Sequence, residues 1–178
     1  MDGNAYLQDV RGRFEELRRA CDRSLAQVPP ERWAFRLDPE SNSLDTLVLH
    51  LSGNMRSRWT GFLATDGEKP DRDRDGEFED TALTHEQLVA RWEHGWSCLF
   101  GALDGLRDED LARTITIRSQ PLTVLEAIQR QLAHYGQHTG QVVMLAKHLA
   151  GPAWNTLSIP RGGSRPFNAG LMGGPPGR

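Results

Sequence analysis

The chain has 178 residues, 38% of them hydrophobic, a formal net charge of −3 and two cysteines. That length and apolar content suit one compact domain with its own core, and the slightly acidic balance supplies no basic field for phosphate neutralisation, which argues against nucleic acid as a partner. Cys21 and Cys98 are isolated and form no CxxC element, so neither a disulfide framework nor a cysteine-rich zinc site is expected, and a reducing, cytoplasmic setting fits.

The first residues, MDGNAYLQDVRGRF, alternate charged with apolar side chains, and no stretch approaches about 18 consecutive apolar residues, so neither a signal peptide nor a membrane anchor is expected. From Leu7 the apolar positions Leu7, Val10, Phe14, Leu17, Cys21 and Val28 recur at helical spacing until Pro29-Pro30 stops them, predicting a first amphipathic helix. A second helix is predicted after a Ser43 N-cap, with the stripe Leu44, Leu47, Val48, Leu51, Met55, Trp59 and Phe62. The run from Thr65 to about Leu83, TDGEKPDRDRDGEFEDTAL, reads as a long solvated connection.

A third helix follows a Thr84 cap and carries Leu88, Trp92, Leu99, Leu103 and Leu106, with Trp96 and Phe100 widening its apolar face. The alternation in TITIR predicts a short strand, paired with Trp33-Ala34-Phe35-Arg36. After Pro121 a fourth helix shows Leu125, Ile128, Leu132, Tyr135, Val142, Ala146 and Leu149 on one stripe and stops at Gly151-Pro152. The fold class is therefore all-α, a four-helix bundle with a long connection between its second and third helices and a minor β pairing. The domain is expected over residues 1–165, with a flexible Gly/Pro-rich tail over 166–178.

His134 and His138 stand one turn apart in HYGQH, so both imidazoles share a helix face and can converge on one ion. At about 100° per residue they flank the apolar stripe at the azimuth of Gln131 and Gln141. The same arithmetic groups His50 of the second helix with Leu47, Asn54 and Arg58. The two shoulders can face each other across a cleft, whereas His94 and His148 project outward and His85 occupies a first turn.

Four helices, a histidine in LVLHLSGNMRSRW and the HxxxH of QLAHYGQHTGQVV together resemble the DinB/YfiT-like family of metalloenzymes. The resemblance spans about Tyr6 to Ser164, and the closing TLSIPRGGS, with its SIPRG element, resembles an uncharacterised branch of that family. It implies that His50, His134 and His138 bind a divalent metal ion, zinc first, with nickel and iron as alternatives. It also implies a homodimer and, from the wider superfamily, a low-molecular-weight thiol as co-substrate.

Three neutral imidazoles with an open fourth position make a Lewis-acid site. A metalloprotease helix would read HExxH, but the glutamate's place is taken by Tyr135, which disfavours peptide hydrolysis. Asp45 and Glu126 rotate away from the histidines, leaving Glu93 on the third helix as the candidate acid–base group or ligand-orienting partner. No residue is assigned as catalytic. The expected function is that of a metal-dependent transferase, of the thiol S-transferase type, or a hydrolase, acting on a small molecule away from membranes. Asn54, Arg58, Gln131, Gln141 and Arg161 are the candidate substrate contacts. The alternative is a non-catalytic metal-binding or small-molecule-binding helical dimer.

Overall fold

Each long helix begins where a side chain takes over its unpaired first-turn amides. Asp2 accepts from the backbone N–H groups of Asn4 and Ala5 and opens α1 (Gly3–Leu25); Ser43 accepts from Thr46 and opens α2 (Leu44–Trp59). Reciprocal capping boxes, Thr84 with Gln87 and Thr123 with Glu126, open α3 (His85–Asp104) and α4 (Val124–Ala150). Caps of this kind contribute about 1 kcal/mol each. Gly151 closes α4 at φ 54°, a conformation that side chains with a Cβ resist. These elements belong to a computed structural model that describes residues 2–172. Among the described residues no helix is long and apolar enough to cross a membrane.

The apolar stripes read from the sequence meet in one core. α1 packs on α4, α2 lies along α3, and α2 also meets α4. Phe14, Leu47, Met55, Trp59, Leu88, Trp96, Leu99, Ile128, Tyr135 and Val142 are all buried in that core. Trp59 and Trp92 are core residues, as their spacing implied. The close approach of α2 to α3 depends on Gly95, where a Cβ would lie 3.1 Å from Ser52 Cα and 3.0 Å from Met55 Cε.

Between α2 and α4 the register is set by polar atoms. Trp59 Nε1 donates to the Tyr135 hydroxyl at 3.1 Å, and that hydroxyl donates to Asn54 Oδ1 at 3.0 Å. The Phe14 ring sits 5.9 Å from both the Trp59 and the Tyr135 ring. A buried hydroxyl must be paired, so the two helices can slide past each other only by breaking this relay.

Two expectations are corrected. The strand TITI, β1 (Thr114–Ile117), pairs antiparallel with β2 (Gln120–Thr123) and not with Trp33–Arg36. Only Arg118 and Ser119 separate the two strands, so closure is local, and Pro121 is accommodated because a two-stranded ribbon has edges that need no donor. Trp33 instead buries its ring and donates from Nε1 to Val28 O at 3.0 Å. Second, the 65–83 connection is not solvated throughout: it makes a helical turn at Gly76–Phe78 and buries Glu77. At the start of the expected tail Ser164–Met172 forms α5, its Pro166 lying in the first turn, where a missing N–H costs no helical bond. The remainder of the expected tail, 173–178, lies outside the described residues.

Gly95→Ala is expected to lower stability in urea denaturation by about 1–2 kcal/mol, the overpacking against Ser52 outweighing the helix propensity that alanine adds.

Candidate metal centre

His50 reaches the centre from the middle of α2, and His134 and His138 from consecutive turns of α4. One ring nitrogen of each lies within 4.8 Å of the other two. The ring centroids are 5.4 Å (His50–His134), 4.9 Å (His50–His138) and 4.6 Å (His134–His138) apart. His50 is 3% exposed and His138 9% exposed, while His134 is half-buried.

The hydrogen bonds behind the rings decide which nitrogens face inward. His50 Nδ1 donates to Glu77 Oε2 at 3.0 Å, and His138 Nδ1 donates to Gln141 Oε1 at 2.6 Å. Each bond leaves Nε2 without a proton, which is the arrangement found behind metal-ligating histidines. His134 Nε2 is buried and has no partner. Burial, reinforced by the neighbouring His138 and His50, lowers the His134 pKa to about 4, and burial also moves His138 below its usual range. Both rings are therefore neutral near pH 7, as ligation requires. An orphaned buried nitrogen among three converging imidazoles fits a divalent ion.

Glu77 is the residue that sequence reasoning missed. It comes from the charged connection, is 6% exposed, and accepts two bonds from Arg72: Nε to Oε1 at 2.8 Å and Nη2 to Oε2 at 2.7 Å. Burial pushes its carboxyl pKa up, but the bonds from His50 and Arg72 outweigh that and hold it below the ordinary range. Gly53 makes room for it, since a Cβ there would lie 2.1 Å from Glu77 Oε1. The one sequence signal was Phe78, an apolar residue in a polar run, whose ring sits 4.7 Å from that of His50. Glu93, the expected carboxylate, pairs instead with Arg18 at 2.5 Å and lines a separate, mainly apolar cavity of about 330 Å³ beside Trp33 and Trp92. It projects from the α3 face directed at α1, away from the α2–α4 seam.

A second recess, about 150 Å³, opens beside the histidines. His50, His134, Asn54, Gln131 and the arginines Arg58, Arg72, Arg74, Arg118 and Arg130 line it. Arg58 Nη2 pairs with Glu68 at 3.2 Å, and Arg118 Nε donates to the same carboxylate at 2.7 Å. Arg118 is aimed by a strained turn in which it and Ser119 take φ 56° and 60°. The Asp66 carboxylate accepts both their amides, at 2.8 and 2.7 Å, and with a further bond from the Glu68 amide its pKa falls to about 2.

Of the predicted substrate contacts, Asn54, Arg58 and Gln131 line the recess. Asn54 also receives the Tyr135 hydroxyl, and Gln141 holds His138 from behind. Arg161 is exposed and is not among the residues lining the recess. Tyr135 is buried, and burial raises its pKa, so the residue in the metalloprotease glutamate's place is structural.

The model of a family described as "Protein of unknown function (DUF1572)" matches residues 2–163 of the chain. A search of curated proteins finds no match.

Glu77→Gln is expected to destabilise the fold by about 3 kcal/mol, because Arg72 keeps its buried charge and loses its hydrogen-bonded counter-ion, with only Glu68 left at 3.6 Å; it should also weaken metal affinity by about 10-fold or more. Denaturation and competitive chelator titration measure the two effects separately. Asp66 binds its proton less readily in the fold than in the unfolded chain, so its stabilising contribution is present above about pH 3.8 and is lost as pH falls toward about 2. Asp66→Asn should flatten that part of the melting-temperature profile; an unchanged profile would show that the turn does not depend on the charge.

Proposed function

From the premise that the chain belongs to the DUF1572 family, whose function is unknown, we propose that it is a metal-dependent enzyme acting on a small molecule, a thiol S-transferase in preference to a hydrolase. The observation that carries this reading is the convergence of His50, His134 and His138, two of them oriented from behind, on a point beside a recess. Resemblance to the DinB/YfiT-like family supports the same three ligands. Zinc is the first expectation, and nickel and iron also accept imidazole sets. A divalent ion bound there would supply Lewis acidity, making a thiol or water nucleophilic near neutral pH.

The chain's own residues favour transfer over hydrolysis. Both oxygens of Glu77, the carboxylate behind His50, are occupied by Arg72 and His50, so it is unavailable as a general base. Burial pushes the Cys21 thiol up to about 12, where it is inert as a nucleophile. A thiol co-substrate brings a nucleophile that Cys21 cannot supply. Gln131 Oε1, buried and unpartnered, provides an acceptor for an incoming S–H or O–H. His50 and His138 hold their tautomers, and the fixed rings hold the reacting groups in position.

Protein purified without chelator is expected to carry about one divalent ion per chain by elemental analysis, and His50→Ala or His134→Ala should abolish it. Chelation should lower the melting temperature by linkage. Retention of the ion by both variants would refute the site. Zinc-loaded protein should then accelerate addition of small thiols to electrophilic acceptors in a metal-dependent way. Metal binding without turnover in that screen would leave a metal-binding helical protein, the non-catalytic reading.

A further inference from the structure

We propose that the recess beside His50 and His134 binds the oxyanion of a small molecule, a carboxylate or a phosphate, so that the substrate of this centre is an anion. The word substrate rests on the metal-dependent reading above; the anion site itself does not require the metal. Among the described residues, five guanidinium groups and no carboxylate line the recess; Arg58, Arg72 and Arg118 pair with Glu68 or Glu77, neither of which lines it. Arg74 meets only the exposed Asp75, at 3.8 Å, and Arg130 has no ion pair among the described residues. The recess is therefore strongly cationic before any metal binds, in a chain whose overall charge is negative.

Unpaired donors mark the same place. Arg58 Nε and Arg72 Nη1 are buried without hydrogen-bond partners in side chains at least 95% buried, Arg72 Nη1 having only the longer ion-pair contact with Glu68 Oε1 at 3.6 Å. With Gln131 Oε1 and His134 Nε2, four buried and unsatisfied side-chain atoms belong to residues of this one recess. A buried guanidinium N–H without an acceptor is costly. Water can answer the missing bonds of the two guanidinium groups but not the excess charge; an oxyanion answers both, and its paired oxygens match the guanidinium fork. A recess of about 150 Å³ admits a carboxylate or phosphate group and a few further atoms, not a nucleic-acid backbone. An anion seated there lies beside two of the three histidines, leaving its uncharged end to reach the open position.

The test uses the full chain, chelator-treated and zinc-loaded, titrated at fixed ionic strength with inorganic phosphate, succinate and uncharged succinamide, followed by melting temperature and calorimetry. Phosphate or succinate should bind saturably to the chelator-treated protein, and succinamide should not; the stronger of the two identifies the oxyanion. Arg130→Gln, on an exposed position, should weaken binding by about fivefold, and Arg58→Lys, which keeps the charge but loses the fork, by about tenfold. His138→Ala, which removes a metal ligand that does not line the recess, should keep anion binding while losing zinc. Absence of saturable binding of either anion to both forms of folded protein would overturn the proposal, as would binding unaffected in both arginine variants. Failure of the unsubstituted chain to bind zinc, with its anion binding intact, would overturn the metal reading alone.

Discussion

A carboxylate is tolerated inside a helical bundle only when its charge and lone pairs are fully answered, and Glu77 shows what that requires here. Arg72 takes one side of it, His50 the other, and Gly53 leaves the space in which it sits. From this residue the charge network runs outward through Arg72 to Glu68, and through Glu68 to Arg58 and Arg118. The network fastens the connection between α2 and α3 over the site, orients His50, and positions the arginines of the recess. It adds to the bonds by which Ser57 holds Gly67 and Lys69, and Arg56 holds Asp71, against α2.

The helices and the connection divide the work. The relay from Trp59 through Tyr135 to Asn54 holds α2 in register with α4, so that His50 stands opposite the HxxxH pair. Rigid helices thus set the separation of the three nitrogens. The loop and the hairpin supply what tunes them: Glu77 behind His50, and Arg118 delivered by a turn whose strain the Asp66 carboxylate offsets. Metal-ligand precision comes from elements with little freedom, while charge comes from segments that the network must first order.

The chemistry of the centre follows from its lack of a free base. Each nearby protic group is already committed: Glu77 to its two partners, the Tyr135 hydroxyl to Asn54, and Cys21 to Thr139 in a buried contact of 3.4 Å. On the proposed reading, reactivity resides in the ion the three imidazoles would hold and in the ligand brought to it. The five arginines of the adjoining recess would then select that ligand by charge, and the small volume would limit how much of it enters.

The four long helices, the three histidines and the absence of a protease glutamate were legible in the sequence, because each is a property of one helix at a time. Periodicity of 3.6 assigns faces, caps mark starts, and an i, i+4 spacing brings two rings together whatever the helix packs against. His50 could be placed on a matching shoulder by the same arithmetic. The roles of Glu77, Arg72 and Arg118 could not be read in that way: each lies in or beside a polar segment whose residues look solvated until tertiary contacts bury them. The strand pairing was misread for the related reason that a two-residue turn was not weighed against a distant partner. Local spacing determined which nitrogens were available; only the folded chain decided what stands behind them and what charge surrounds them, because burial and long-range ion pairing are properties of packing, not of sequence period.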